Sequence, residues 1–108
     1  MKAGLGPEAV KVWPNPKTVA SGISDAFMAD IENAYKAMRD TEGLTETVSD
    51  DEIIETQLLL ARKEAIFAEP TGAVSLVGAI KLAWDGTIDA SYVVVCVITG
   101  HGLNDLEQ

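Results

Sequence analysis

Two short runs of this sequence set polar, chemically versatile side chains beside residues that let the backbone bend. The first is Glu69-Pro70-Thr71-Gly72, a carboxylate and a hydroxyl two positions apart at the head of an apolar run. The second is Thr99-Gly100-His101-Gly102, a hydroxyl and the chain's only histidine, with a glycine on each side of the imidazole. Paired glycines allow a sharp turn and let a ligand come close to the backbone. If the runs lie at the carboxyl ends of strands in an open α/β sheet, they lie where ligands bind in such sheets. The same pattern equally fits a plain strand-to-helix turn.

Other chemistries are poorly served. A lone histidine with no second histidine or cysteine nearby does not make a metal site. No Gly-x-Ser-x-Gly nucleophile turn is present. Gly4-Leu5-Gly6 follows no strand and has no third glycine in place, so it is not a dinucleotide fingerprint. Asp50, Asp51 and Glu52 are adjacent acids, but a helix start accounts for them better than acid-base catalysis. Trp13 and Trp84 read as packing residues rather than a stacking platform.

The elements that would position the two runs follow from patterning. Residues 1–17 carry three prolines and two glycines and read as an irregular lead-in. Residues 18–108 read as a single α/β domain. Thr18–Ile23 is a strand candidate. A helix is expected after Ser24 or Asp25, with Phe27, Ile31, Ala34, Tyr35 and Met38 on one face and Gly43 at its stop. Leu44–Val48 alternates like a short strand. Ser49-Asp50-Asp51-Glu52 has the capping-box arrangement, and the helix it opens should reach about Glu64, lined by Ile54, Leu58, Ala61 and Ala65. Ala65–Ala68 reads as another short strand. A third helix follows Pro70, apolar nearly all round and so expected to be covered on most sides, with Gly86 as its stop. Tyr92–Ile98 does not alternate, which predicts a strand buried on both faces in a parallel sheet. The order implies an α/β layered fold, with a mostly parallel sheet flanked by helices.

Composition narrows the function classes. The chain has 108 residues, 47% of them hydrophobic and 23% charged, with a net charge of −9 from 17 acids and 8 bases. This is ordinary for a globular domain. The negative surface repels nucleic-acid backbones and anionic membranes. The single cysteine, Cys96, can form no intrachain disulfide and reads as a buried structural residue. No apolar run approaches a membrane span, and the expected location is the cytoplasm.

Four segments together resemble threonine synthases, within the tryptophan-synthase-β-like class of pyridoxal-phosphate enzymes. Ile66-Phe67-Ala68-Glu69-Pro70-Thr71-Gly72-Ala73-Val74-Ser75-Leu76-Val77-Gly78 is similar to that family's "GIF-x-EP-S/T-GA" segment. Val93–Asp105, containing Thr99-Gly100-His101-Gly102-Leu103, resembles its "VLTGHGLKD" ending. Val48–Ile53 resembles a "VSDEEI" helix start, and Thr18–Ile23 a "T-x-A-x-GI" segment shared with threonine dehydratases. The segments occur in family order over roughly residues 10 to 105. Two positions depart from the pattern: Ala65 stands where a glycine is usual, and Asn104 where a lysine is usual.

The resemblance implies a fold like part of the cofactor domain of those enzymes. It implies that Thr99 faces the cofactor's pyridine nitrogen. A neutral hydroxyl there leaves the ring a weaker electron sink than a carboxylate would, which suits elimination and replacement chemistry. It implies further that Glu69 and Thr71 lie near the ring and that Gly100, His101 and Gly102 shape the surrounding turn. The family's cofactor-bearing lysine and its glycine-rich phosphate loop are not matched by any segment here. The six lysines (Lys2, Lys11, Lys17, Lys36, Lys63 and Lys81) lie outside that motif's context. The expectation is therefore a fragment of a threonine synthase-like lyase, with no catalytic residue of its own and no retained cofactor when alone. The expected partners are a complementing chain or further copies of itself. The alternatives are a non-catalytic binding or assembly module, and the equivalent part of a threonine dehydratase-like enzyme.

Overall fold

The structure is a computed structural model that describes residues 6–106. It divides into two compact units. One holds the residues up to Pro16 together with Asp25–Glu46; the other holds Lys17–Ser24 together with the residues from Thr47 onward.

The first unit contains a 3-10 turn at Pro7–Ala9 and one helix, α1, over Ile31–Asp40. The helix starts later than Ser24 or Asp25, and Phe27 lies outside it, 58% exposed. Asn33 Nδ2 donates to Asp30 Oδ1 at the helix start. Past its end, Thr41 Oγ1 donates to the Ala37 carbonyl and the Gly43 amide to the Met38 carbonyl, at 2.8 and 2.7 Å. These bonds satisfy carbonyls that the helix leaves free.

The second unit is built on two longer helices, α2 over Asp50–Glu64 and α3 over Pro70–Trp84. The capping box is present in full. The Glu52 amide donates to Ser49 Oγ at 3.2 Å and the Ser49 amide donates to Glu52 Oε2 at 2.8 Å. Lys81 of α3 then bonds the same carboxylate at 3.2 Å and the Thr47 carbonyl at 2.7 Å. One ammonium thus fixes the start of α2 against the last turns of α3. The α2–α3 contact buries two apolar clusters. Ala20, Ile53 and Val77 form one, with Val19, Val48 and Val74 around it. Leu60, Ala68 and Ala73 form the other, with Leu76 and Ile98 around it. Helix α3 ends at Asp85, and Gly86 leaves it at φ +83°, a conformation that suits glycine.

The expected parallel sheet is not formed. Among the described residues there is no strand, only a single antiparallel bridge between Ala68 and His101. Each strand candidate has its own reason. Thr18–Ile23 closes into a 3-10 turn at Ser21–Ile23, where the Ile23 amide donates to the Ala20 carbonyl. Leu44–Val48 lies in neither helix nor ladder. Ala65 caps α2 in a left-handed conformation, so Ala65–Ala68 begins as a helix end. Tyr92–Ile98 lies against α3 and has no second strand to pair with. Ser75 Oγ donates to the Val97 carbonyl at 3.0 Å, and Ile98 joins the Leu60 cluster. The non-alternating composition was read as burial on both faces, yet Val93 and Val95 are 94% and 83% exposed. A ladder needs a neighbouring strand, and here the neighbour is a helix.

Candidate functional site

The two polar runs meet at the head of α3. Two backbone hydrogen bonds, which make one antiparallel bridge, bring them together. The Glu69 amide donates to the Gly100 carbonyl at 3.0 Å, the Gly102 amide donates to the Phe67 carbonyl at 2.8 Å, and Ala68 bridges His101. Ala68 is fully buried, and Gln57 of α2 donates to its carbonyl at 2.8 Å. The bend between α2 and α3 is thus pinned from one side by Gln57 and from the other by residues 100–102.

Sterics explain why glycines stand in this turn. A Cβ on Gly100 would run into the carboxylate of Glu69, so that side chain lies directly against the Gly100 backbone. A Cβ on Gly72 would sit 2.8 Å from the Gly100 carbonyl oxygen and 3.0 Å from its nitrogen. A Cβ on Gly102 would meet the ring of Phe67. The same ring packs edge-on to His101, with centroids 5.6 Å apart and planes at 77°. His101 Nδ1 accepts from the Leu103 amide at 3.1 Å, which caps the 3-10 turn Gly102–Asn104. In this geometry the histidine shapes the turn, and its Nδ1 lone pair is already engaged.

A third segment joins the cluster. The Gly22 amide donates to Thr71 Oγ1 at 2.9 Å, and Ser21 Oγ donates to Asp105 Oδ2 at 3.0 Å. The 3-10 turn at Ser21–Ile23 is therefore tied both to the first turn of α3 and to the far end of the 99–105 loop. Sequence reasoning missed Ser21, Gly22, Asp105 and Gln57 as members of this cluster. Their partners lie 84, 49 and 11 positions away, and no local spacing rule signals such pairs. Of the expected site residues, Glu69, Thr71, Gly100, His101 and Gly102 come together through these bonds. Thr99 precedes Gly100 and is exposed.

The cluster sets the Thr71 hydroxyl and the Glu69 carboxylate around a backbone turn kept free of Cβ atoms. Among the described residues no group of three or more His, Cys, Asp or Glu side chains could hold a metal ion. No helix among them is long and apolar enough to cross a membrane. Cys96 is half-buried, its Sγ 4.0 Å from the Ser75 carbonyl.

The chain belongs to the pyridoxal-phosphate dependent enzyme family, whose pattern matches residues 2–100. Within that family it is similar to threonine synthases. It is 44% identical to the threonine synthase of Methanocaldococcus jannaschii over 93 residues, which is 86% of this chain and 23% of that protein. It is 40% identical to the threonine synthase of Methanosarcina acetivorans over 100 residues, 93% of this chain and 25% of that one. Against the threonine synthase of Mycobacterium tuberculosis H37Rv, identity is 36% over 91 residues, covering 84% and 25%. The chain thus spans about a quarter of the length of the curated relatives it matches.

Proposed function

We propose that this chain forms one edge of the cofactor pocket of a threonine synthase-like lyase, and that it acts only together with a polypeptide supplying the rest of the site. The observation that carries this reading is the antiparallel meeting of Phe67–Glu69 with Gly100–Gly102, which sets a carboxylate and the flanking threonines around one turn. Its support is the family membership, together with the threonine synthases that match most of this chain.

When bound, pyridoxal phosphate supplies an electron sink for reactions at the β- and γ-carbons of an amino acid. This chain's part is to bind and orient. The Thr99 hydroxyl would offer the ring nitrogen a neutral hydrogen bond. Thr71, held by the Gly22 amide, and Glu69, held against Gly100, line the approach. His101, Gly100 and Gly102 keep the turn in shape. The whole site would convert O-phosphohomoserine and water to threonine and phosphate, in the cytoplasm.

The test mixes this chain with the Methanocaldococcus jannaschii threonine synthase from which the matching segment has been deleted. Phosphate release from O-phosphohomoserine is expected in the mixture and from neither component alone. Turnover by this chain alone would refute the need for a complementing part. A mixture that associates yet stays inactive would refute the assignment to the cofactor pocket.

A further inference from the structure

Gln57 lies on α2, outside the proposed cofactor edge, yet one bond ties it to the backbone of that edge. Ala68 is fully buried and sits at the centre of the bridge to His101. The two hydrogen bonds of the bridge are made by its neighbours, the Phe67 carbonyl and the Glu69 amide. In an antiparallel pair, the polar groups of a residue so flanked point away from the partner segment. The Ala68 carbonyl therefore turns from residues 100–102 toward α2, where Gln57 Nε2 donates to it at 2.8 Å. A carbonyl only accepts, so the carboxamide must present its NH2 group. A buried carbonyl that loses its donor has no water to replace it, which makes the bond costly to remove.

The leverage of this bond on the site is direct. The Ala68 carbonyl and the Glu69 amide belong to one peptide unit, which is planar and rigid. Gln57 holds the oxygen end of that plane, and the Gly100 carbonyl accepts from its nitrogen end at 3.0 Å. The side chain of Glu69 lies against the Gly100 backbone as well. Tilting the plane moves Gly100, and Thr99 is the next residue along the chain. Bonds linked in this way also polarise one another, so each strengthens the next.

We infer that Gln57 is a positioning residue: by holding the Ala68–Glu69 peptide from α2, it sets Gly100 and so the place of the Thr99 hydroxyl. Only the last step, from Gly100 to the cofactor, rests on the cofactor reading. The test uses the labelled chain mixed with the truncated threonine synthase. Amide exchange is measured before cofactor is added, and pyridoxal phosphate affinity is then measured by equilibrium dialysis. Gln57→Met keeps the length of the side chain without its donor, and should speed exchange of the Glu69 amide roughly tenfold. At neutral pH Gln57→Glu sets a carboxylate against the carbonyl and should speed it further. Exchange of the Glu52 amide at the start of α2 should not change in either variant. Cofactor affinity should weaken in the same order, roughly three- to tenfold for Gln57→Met. A role in packing alone predicts the reverse order, since glutamate has the shape of glutamine. Unchanged exchange at Glu69 in both variants overturns the hold on the peptide. Faster exchange with unchanged affinity overturns the positioning role. If the mixture with the unchanged chain binds pyridoxal phosphate no better than the truncated synthase alone, the cofactor reading fails and the positioning step with it, while the exchange rates still decide the hold.

Discussion

Replacing Ala65 with glycine is expected to stabilise the chain. Ala65 is the C-cap of α2 and adopts φ 55°, ψ 30°, a left-handed conformation. Its Cβ then crowds the following carbonyl, at a cost of roughly 1–2 kcal/mol for a residue other than glycine. Glycine removes that cost but gives back about 0.4–1 kcal/mol through the greater freedom of the unfolded chain. The residue is exposed, so little packing is lost. The net gain for Ala65→Gly is roughly 0.5–1 kcal/mol. For a domain of this size that is a rise in Tm of about 2–8 °C. Thermal unfolding followed by circular dichroism, with a urea midpoint alongside, measures it. A fall in stability of about 1 kcal/mol, as glycine causes inside a regular helix, would refute the left-handed cap. The result also bears on the sequence resemblance, since glycine is the residue that the threonine synthase pattern has at this position.

Three other outcomes follow from the same geometry. Ser49→Ala removes one half of the capping box and should cost about 1 kcal/mol in a denaturant titration, a typical value for an N-cap. The Glu52 carboxyl is held below its ordinary range, first by the Ser49 amide and then by Lys81. Its stabilising contribution is therefore present above the unfolded-state value and is lost as pH falls through the lower folded value. Glu52→Gln should flatten that part of the acid-unfolding curve, and an unchanged curve would count against the carboxylate's role. Gly72→Ala puts a Cβ 2.8 Å from the Gly100 carbonyl oxygen, a backbone atom that cannot rotate away. It should destabilise by about 1–3 kcal/mol in thermal unfolding, as overpacking does.

Local chemistry was legible in the sequence where it acts over a few residues. Ser49 and Glu52 announced the capping box, Gly86 the end of α3, and Pro70 its beginning. Glu69, Thr71 and Gly100–Gly102 could be singled out because glycine beside a polar residue marks a turn. The sheet was misread because composition reports what a residue tolerates rather than what lies next to it. Val93, Val95 and Val97 are as apolar as any core strand, yet among the described residues they stay largely exposed. Position Ala65 carries no signal of its left-handed backbone, because alanine is the residue most at home in a helix. The bonds from Gly22 to Thr71 and from Ser21 to Asp105 join distant segments, and only the folded chain reveals them.

The central claim is that Glu69, Thr71 and Thr99–Gly102 form a cofactor-ring edge. Amide NMR of the labelled chain mixed with the truncated threonine synthase, titrated with pyridoxal phosphate, tests it most directly. The account predicts that adding the cofactor shifts Thr71, Thr99, Gly100 and Gly102 and leaves the other amides in place. A well-dispersed spectrum that does not respond, or shifts clustered instead around Lys36, Lys63 and Lys81, would contradict it.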